Sequence, residues 1–214
     1  MSSVDRDTAP LQVTRSPRLD NALRFGWDSF SRSLAASGTE DAARWLAART
    51  DDPDLAEVAE PLLAAAISEN PEEAAEGLFA LAELAEETGD DLLADTLWEG
   101  VLARAREADD GDGIMEATRR LASLAERLGD PLAAAEFFIA FLNWRREEGR
   151  ASDPEDVLDA FDEIVRLAMI DGAQKAAAEY EYRQAGYARL IEAENPSAVE
   201  GDWEPGKPAY EAWD

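Results

Sequence analysis

Apolar residues recur every three or four positions along most of this chain, the spacing of amphipathic helices. Leu23, Trp27, Phe30 and Leu34 form the first such stripe, which opens near Asp20 and closes at Gly38. Thr39 stands where a cap is expected for a short second helix carrying Ala43, Trp45, Leu46 and Ala47. Asp51-Asp52-Pro53 reads as a turn, and Pro61 as a helix restart, because proline suits a first helical turn and not a helix middle. Asn70-Pro71-Glu72-Glu73 is a fuller start, with a cap, a proline and then acids at the positive end of the helix. From there the spacing predicts helices over 71–88, 90–108, 113–128, 130–148, 154–170 and 172–193. The breaks fall at Gly89-Asp90, Asp109 to Gly113, Gly129-Asp130, Gly149 to Asp153 and Asp171-Gly172. No segment alternates apolar and polar residues as a strand does. The fold class expected is therefore all-α, built of antiparallel helical hairpins that form either a short solenoid or a compact bundle.

One stretch nearly repeats. Leu81-Ala-Glu-Leu-Ala-Glu-Glu-Thr-Gly89-Asp90 returns as Leu121-Ala-Ser-Leu-Ala-Glu-Arg-Leu-Gly129-Asp130. A glycine after a helix provides a left-handed cap, and an aspartate directly after it can start the next helix. A weaker third copy reads Phe161, Ile164-Val165, Ala168, then Ala178 and Tyr182, with one residue of slip at Asp171-Gly172. Ala82 and Ala94 are small enough to let paired helices approach closely, while Trp98 and Phe138 are expected to fill the space between hairpins.

Four segments follow. Residues 1–18, with three arginines and two prolines, read as a flexible arm. Residues 19–70 read as helices packing on the repeats, 71–194 as the repeat region, and 195–214 as a tail with three prolines and the aromatics Trp203, Tyr210 and Trp213. Exposed aromatics in a tail either fold back or anchor a partner, and fold-back is the favoured expectation.

The placing of Leu78, Leu81-Ala82, Ala85, Ala94 and Trp98, echoed by Thr118, Leu121-Ala122, Ala125, Ala134 and Phe138, resembles the tetratricopeptide repeat. The resemblance covers residues 72–193 and departs from the family in three ways. The period is about 40 and then 43 residues rather than the family's 34, Ala82 and Ala122 replace the first-helix glycine, and the closing proline is missing. The resemblance implies a partner protein or peptide lying along the first helices. Carried over by position, that face holds Phe79, Glu83, Glu86, Arg119, Ser123, Glu126, Arg166 and Met169. Arg119 and Arg166 could grip a carboxylate, since a guanidinium pairs in two-pronged fashion. The plainer alternative, slightly favoured, is that each pairs with a nearby glutamate of its own helix.

Charge changes the picture of the environment. The net charge is −28, from 48 acidic and 20 basic residues, and only Lys175 and Lys207 of the basic ones are lysines. An acidic, lysine-poor, alanine-rich chain resembles proteins of salt-in halophiles, haloarchaea above all. In molar salt the screening length is about 3 Å, so such a surface does not tear the fold apart. An acidic disordered chain is the competing reading, and it loses because 46% of residues are hydrophobic and fall at helical spacing. A mimic of DNA is a minor alternative.

The chain contains no Cys and no His. That removes thiolate catalysis, Ser–His–Asp and Cys–His machinery, and His- or Cys-based metal centres. No glycine-rich phosphate loop is present. In Asp109-Asp110-Gly111-Asp112-Gly113 a calcium-loop spacing would place Ile114 where a third oxygen ligand belongs, so the pattern fails. Close carboxylate pairs carry no specificity among 48 acids. No cofactor or metal is expected, no nucleic-acid partner for want of a basic patch, and no membrane span. The cytoplasm is the default compartment, as the first ten residues carry no signal core. The expectation is a non-catalytic scaffold or adaptor that binds a partner protein or peptide. The alternatives are a dedicated assembly chaperone of all-helical, TorD-like build, whose histidine signature this chain lacks, and an enzyme using carboxylates.

Overall fold

The computed structural model describes residues 16–147 and 154–192, and among these it contains ten α-helices and no strand. The all-α expectation holds, and successive helices pack on one another. The helices fall into two compact units, Met1–Leu97 and Trp98–Asp214, with the boundary inside one continuous helix. Most of the expected N-terminal arm and all of the aromatic tail lie outside the described residues.

The first unit holds α1 (Pro17–Leu23), α2 (Trp27–Ser37), α3 (Thr39–Thr50), α4 (Leu55–Ala66), α5 (Pro71–Glu87) and the start of α6 (Asp91–Ala108). Its core gathers Leu23, Phe30, Leu34, Leu78 and Leu81. Phe30 stacks at a tilt between Trp27 and Trp45, with ring centroids 6.4 and 5.8 Å away. Three local expectations need correction. The first apolar stripe is two helices, because the chain turns at Arg24–Gly26 and Gly26 takes φ 75°. Thr39 is the first residue of α3 rather than its cap; Gly38, at φ 81°, ends α2 and opens α3 together. Pro61 does not restart a helix but sits inside α4, on its exposed side. There the carbonyl deprived of its helical partner can bond to water, which softens the usual cost of about 3 kcal/mol.

Helices α4 and α5 meet at Gly77. A Cβ built on Gly77 would come within 2.7 Å of Ala65 Cβ and of the Ala66 backbone nitrogen, and 2.8 Å of the Leu62 carbonyl oxygen. Nothing larger than hydrogen fits at that crossing.

The second unit holds the rest of α6 with α7 (Gly111–Arg127), α8 (Pro131–Glu147), α9 (Pro154–Ile170) and α10 (Gln174–Glu192). Phe138, Phe141, Phe161, Ile164, Tyr180 and Tyr187 are among its core residues. Phe161 lies 6.4 Å from both Tyr180 and Tyr187, centroid to centroid. The third repeat copy is registered differently from the expectation. Ala178 and Tyr182 face solvent, Tyr182 at 75% exposure, while Ala177 and Tyr180 are buried. No residue is gained after Gly172, so the buried alanine of α10 stands 43 positions after Ala134, the same offset as Ala168 from Ala125.

The turns after α3, α5, α6, α7 and α9 share one closing bond. At the ends of α5 and α7, Asp90 N donates to Ala85 O at 2.9 Å and Asp130 N to Ala125 O at 2.9 Å. The left-handed residues are Gly89 (φ 73°) and Gly129 (φ 83°). Each aspartate then caps the next helix, Asp90 Oδ1 accepting from Leu93 N at 3.2 Å and Asp130 Oδ1 from Ala133 N at 2.9 Å. The same closing bond recurs after α3, α6 and α9, from Asp52 N to Ala47 O, Asp110 N to Ala105 O and Ala173 N to Ala168 O. Asp51 and Asp109 take the left-handed position themselves, at φ 57° and 60°. Asp109 to Gly113 is therefore a helix joint and not a loop: α7 starts at Gly111, with Asp110 Oδ1 accepting from Gly113 N at 3.1 Å.

Candidate interaction groove

Helices α7 and α9 run side by side in the same direction, since α8 returns the chain between them and their ion pairs advance together along both. Between them lies a cavity of about 510 Å³. Its floor is apolar: Phe138 from α8, with Met115 and Ala122 from α7, all buried. Its walls are charged. Arg119, Ser123 and Glu126 come from α7, and Asp159, Asp162, Glu163 and Arg166 from α9. The helical repeat explains this, because positions 119, 123 and 126 share one face of α7, and 159, 162, 163 and 166 share one face of α9.

An ion-pair cluster closes each end. At one, Arg119 Nη2 donates to Asp159 Oδ2 at 3.0 Å and to Asp156 Oδ1 at 3.4 Å. At the other, Arg166 grips Glu126 in two-pronged fashion, Nη1 to Oε1 at 2.9 Å and Nη2 to Oε2 at 2.7 Å. Arg166 also donates to Glu163 of its own helix, from Nε at 2.9 Å and from Nη2 at 2.7 Å. Between the two clusters Asp162 Oδ1 accepts from the Gln184 amide at 2.7 Å. The hydrogen bonds from Arg166 hold the Glu126 carboxyl below its ordinary range, and the Glu126 and Glu163 carboxylates raise the Arg166 guanidinium above its own.

The structure brings together Arg119, Ser123, Glu126 and Arg166 of the face inferred from sequence. Met169 sits on α9 one turn past Arg166, 54% exposed, outside the cavity wall. Phe79, half-buried, and Glu83, exposed, stand on α5 in the other unit. Trp203, Tyr210 and Trp213 lie outside the described residues. The expectation for the two arginines is met only in part. Arg166 does pair within its helix, to Glu163, but its two-pronged bond crosses to α7, and Arg119 reaches across to α9. Asp159, Asp162 and Glu163 escaped the sequence reading. The pairs are opposite charges at a common offset, Arg119 with Asp159 and Glu126 with Arg166, each 40 positions distant and so three short of the 43-residue spacing between these two repeat copies.

A second polar cluster belongs to the first unit. Arg49, at the end of α3, donates to both carboxylate oxygens of Asp90, the Nη2 to Oδ1 distance being 2.8 Å. Asp20 Oδ1 accepts from Trp45 Nε1 at 3.0 Å and, more weakly, from Arg49 Nη1 at 3.4 Å. The guanidinium also lies 5.7 Å from the Trp45 ring centroid. The Asp90 hydrogen bond is the chief cause that raises Arg49 above its ordinary range. Small cavities of about 280 and 410 Å³ flank Arg49. Asp20, Trp45, Arg49 and Asp90 on their walls are bonded to one another, so the cluster ties α1, α3 and the α5–α6 turn together.

Among the described residues no group of three or more Asp and Glu side chains is arranged to hold a metal ion, and no helix is long and apolar enough to cross a membrane. Comparison of the chain with protein-family models, with curated proteins and with solved structures finds no match.

Proposed function

We propose that the chain is a non-catalytic interaction scaffold whose α7–α9 groove receives a segment of a partner protein or peptide. The observation that carries the reading is the meeting of Arg119, Ser123 and Arg166, drawn from two helices about 40 residues apart, around one open cavity with a Phe138 floor. An open groove over an apolar floor, rimmed by ordered charges, suits an extended or helical segment. Stacking of hairpins with a repeated turn and a spacing near 40 residues supports a divergent relationship to tetratricopeptide repeats. The lowered Glu126 is ill suited to act as a general acid, which needs its proton held more tightly. The acidic composition supports a halophilic, archaeal cytoplasm as the setting.

The test is affinity capture at high salt with mass spectrometry, using the full chain, the Ser123→Trp variant and a chain ending at residue 195. Ser123 is exposed on the groove wall, so an indole there would occupy the cavity without replacing a core residue. A stoichiometric partner held by the full chain and lost by Ser123→Trp is the expected outcome. A partner indifferent to that variant, or none at all, removes the groove from consideration.

A further inference from the structure

We infer that the groove selects a basic segment, with a Lys or Arg side chain set against Asp162 and an apolar neighbour over Met169. The inference rests on the reading of the groove as a docking site and names the chemistry of its occupant.

Charge balance is the first ground. The cavity wall carries two guanidiniums against four carboxylates. Both guanidiniums already face carboxylates of the chain: Arg166 is gripped by Glu126 and Glu163, and Arg119 donates through Nη2 to Asp156 and Asp159. An acidic ligand would have to displace a two-pronged ion pair and then lie beside Asp162.

Asp162 is the second ground. Its bonding partner is the neutral Gln184 amide, which orients the carboxylate without compensating its charge. An arriving ammonium or guanidinium would meet an ordered acceptor and keep the flanking ion pairs intact. Its aliphatic stem would cross the Phe138 and Ala122 floor, as the stems of long cationic side chains commonly do.

The third ground is the exposed Met169, one turn beyond Arg166 on α9. A thioether adapts to varied apolar partners. Acid and methionine in sequence along one helix complement a segment that is basic and then apolar. The same balance excludes the chain's own C-terminal tail, where residues 193–214 hold six carboxylates and one lysine.

The test uses a displayed library of random dodecapeptides, selected at one fixed salt concentration on the full chain and on the Ser123→Trp variant. Sequences retained by the first and lost by the second report on the groove. They are expected to be enriched in Lys or Arg beside apolar residues. A synthetic peptide of the commonest such sequence should then bind about tenfold more weakly to Asp162→Asn, the effect of one charge-assisted hydrogen bond. Glu57→Gln makes the same charge change on the exposed side of α4 and should leave affinity within about twofold. Equal losses in the two variants would mean diffuse attraction to an acidic protein and would overturn the inference. Groove-dependent sequences that prove acidic would overturn it too, while leaving the docking site standing. If no sequence depends on Ser123, both the inference and the docking site fall.

Discussion

Arg49 donates to both carboxylate oxygens of Asp90, and Asp90 at the same time caps α6 through Leu93 N. Asp130 performs the capping task alone, at the equivalent turn one period later. The pair therefore separates what a cap contributes from what a partly buried ion pair adds. Asp130→Ala should cost about 1 kcal/mol. Asp90→Ala should cost about 2–3 kcal/mol, because it also leaves the half-buried Arg49 without its principal partner. Urea unfolding of both variants at matched salt measures the difference; equal midpoints would show that the Arg49 pair adds nothing.

At Gly77 the α4–α5 crossing leaves no room for a methyl group. Alanine is the better helix former by about 1 kcal/mol, yet Gly77→Ala should destabilise by about 2 kcal/mol or more, because backbone atoms of α4 must move. Gly186→Ala is the matched control. Gly186 lies inside α10 with open space where its Cβ would go, and that substitution should stabilise by about 0.5–1 kcal/mol. Opposite shifts in thermal midpoint are expected. A neutral Gly77→Ala would show that the helices can part at little cost.

The Arg166 bond to Glu126 predicts a pH dependence with a definite sign. The folded carboxyl is held below its ordinary 4.5. The stabilisation is thus present above that value and is lost as pH falls through the lowered folded one. Carboxyl NMR titration should show Glu126 low in the native protein and shifted upward in Arg166→Met. An unchanged Glu126 in that variant would assign its shift to something other than the cross-helix pair.

With a net charge of −28, self-repulsion should dominate in dilute buffer. Helicity measured by circular dichroism is expected to fall when salt is removed and to return when potassium chloride is restored to molar levels, where the screening length is about 3 Å. Full helicity without salt would remove the argument for a halophilic setting.

The candidate site was half legible before the fold was known. Arg119, Ser123, Glu126 and Arg166 could be chosen because the resemblance to the tetratricopeptide repeat implies a binding face along the first helix of each hairpin, and these positions were carried over onto it. The pairing could not, because no local pattern says which of 48 acids will stand opposite a given arginine. Asp159 and Glu126 became partners only when α8 set α7 and α9 side by side at an offset of 40 residues. Tyr182 shows the same limit within one helix. The packing of α10 buries position 180 and leaves 182 exposed, and both are tyrosines, so residue type does not separate them.

Among the described residues, sequence alone determined the helices from Asn70 onward, their glycine- and aspartate-marked joints and the absence of strands. Those features depend on bonds that span a few residues: an apolar period of 3.6, a left-handed residue after a helix, a carboxylate on the next free backbone nitrogen. Tertiary structure decided the rest. It kept Pro61 inside α4, on that helix's exposed side, made Gly77 a point of contact, and set the arginines of the groove against the chain's own carboxylates. Each of these depends on which surfaces of distant helices meet, and that follows from the packing of whole faces rather than from any local preference.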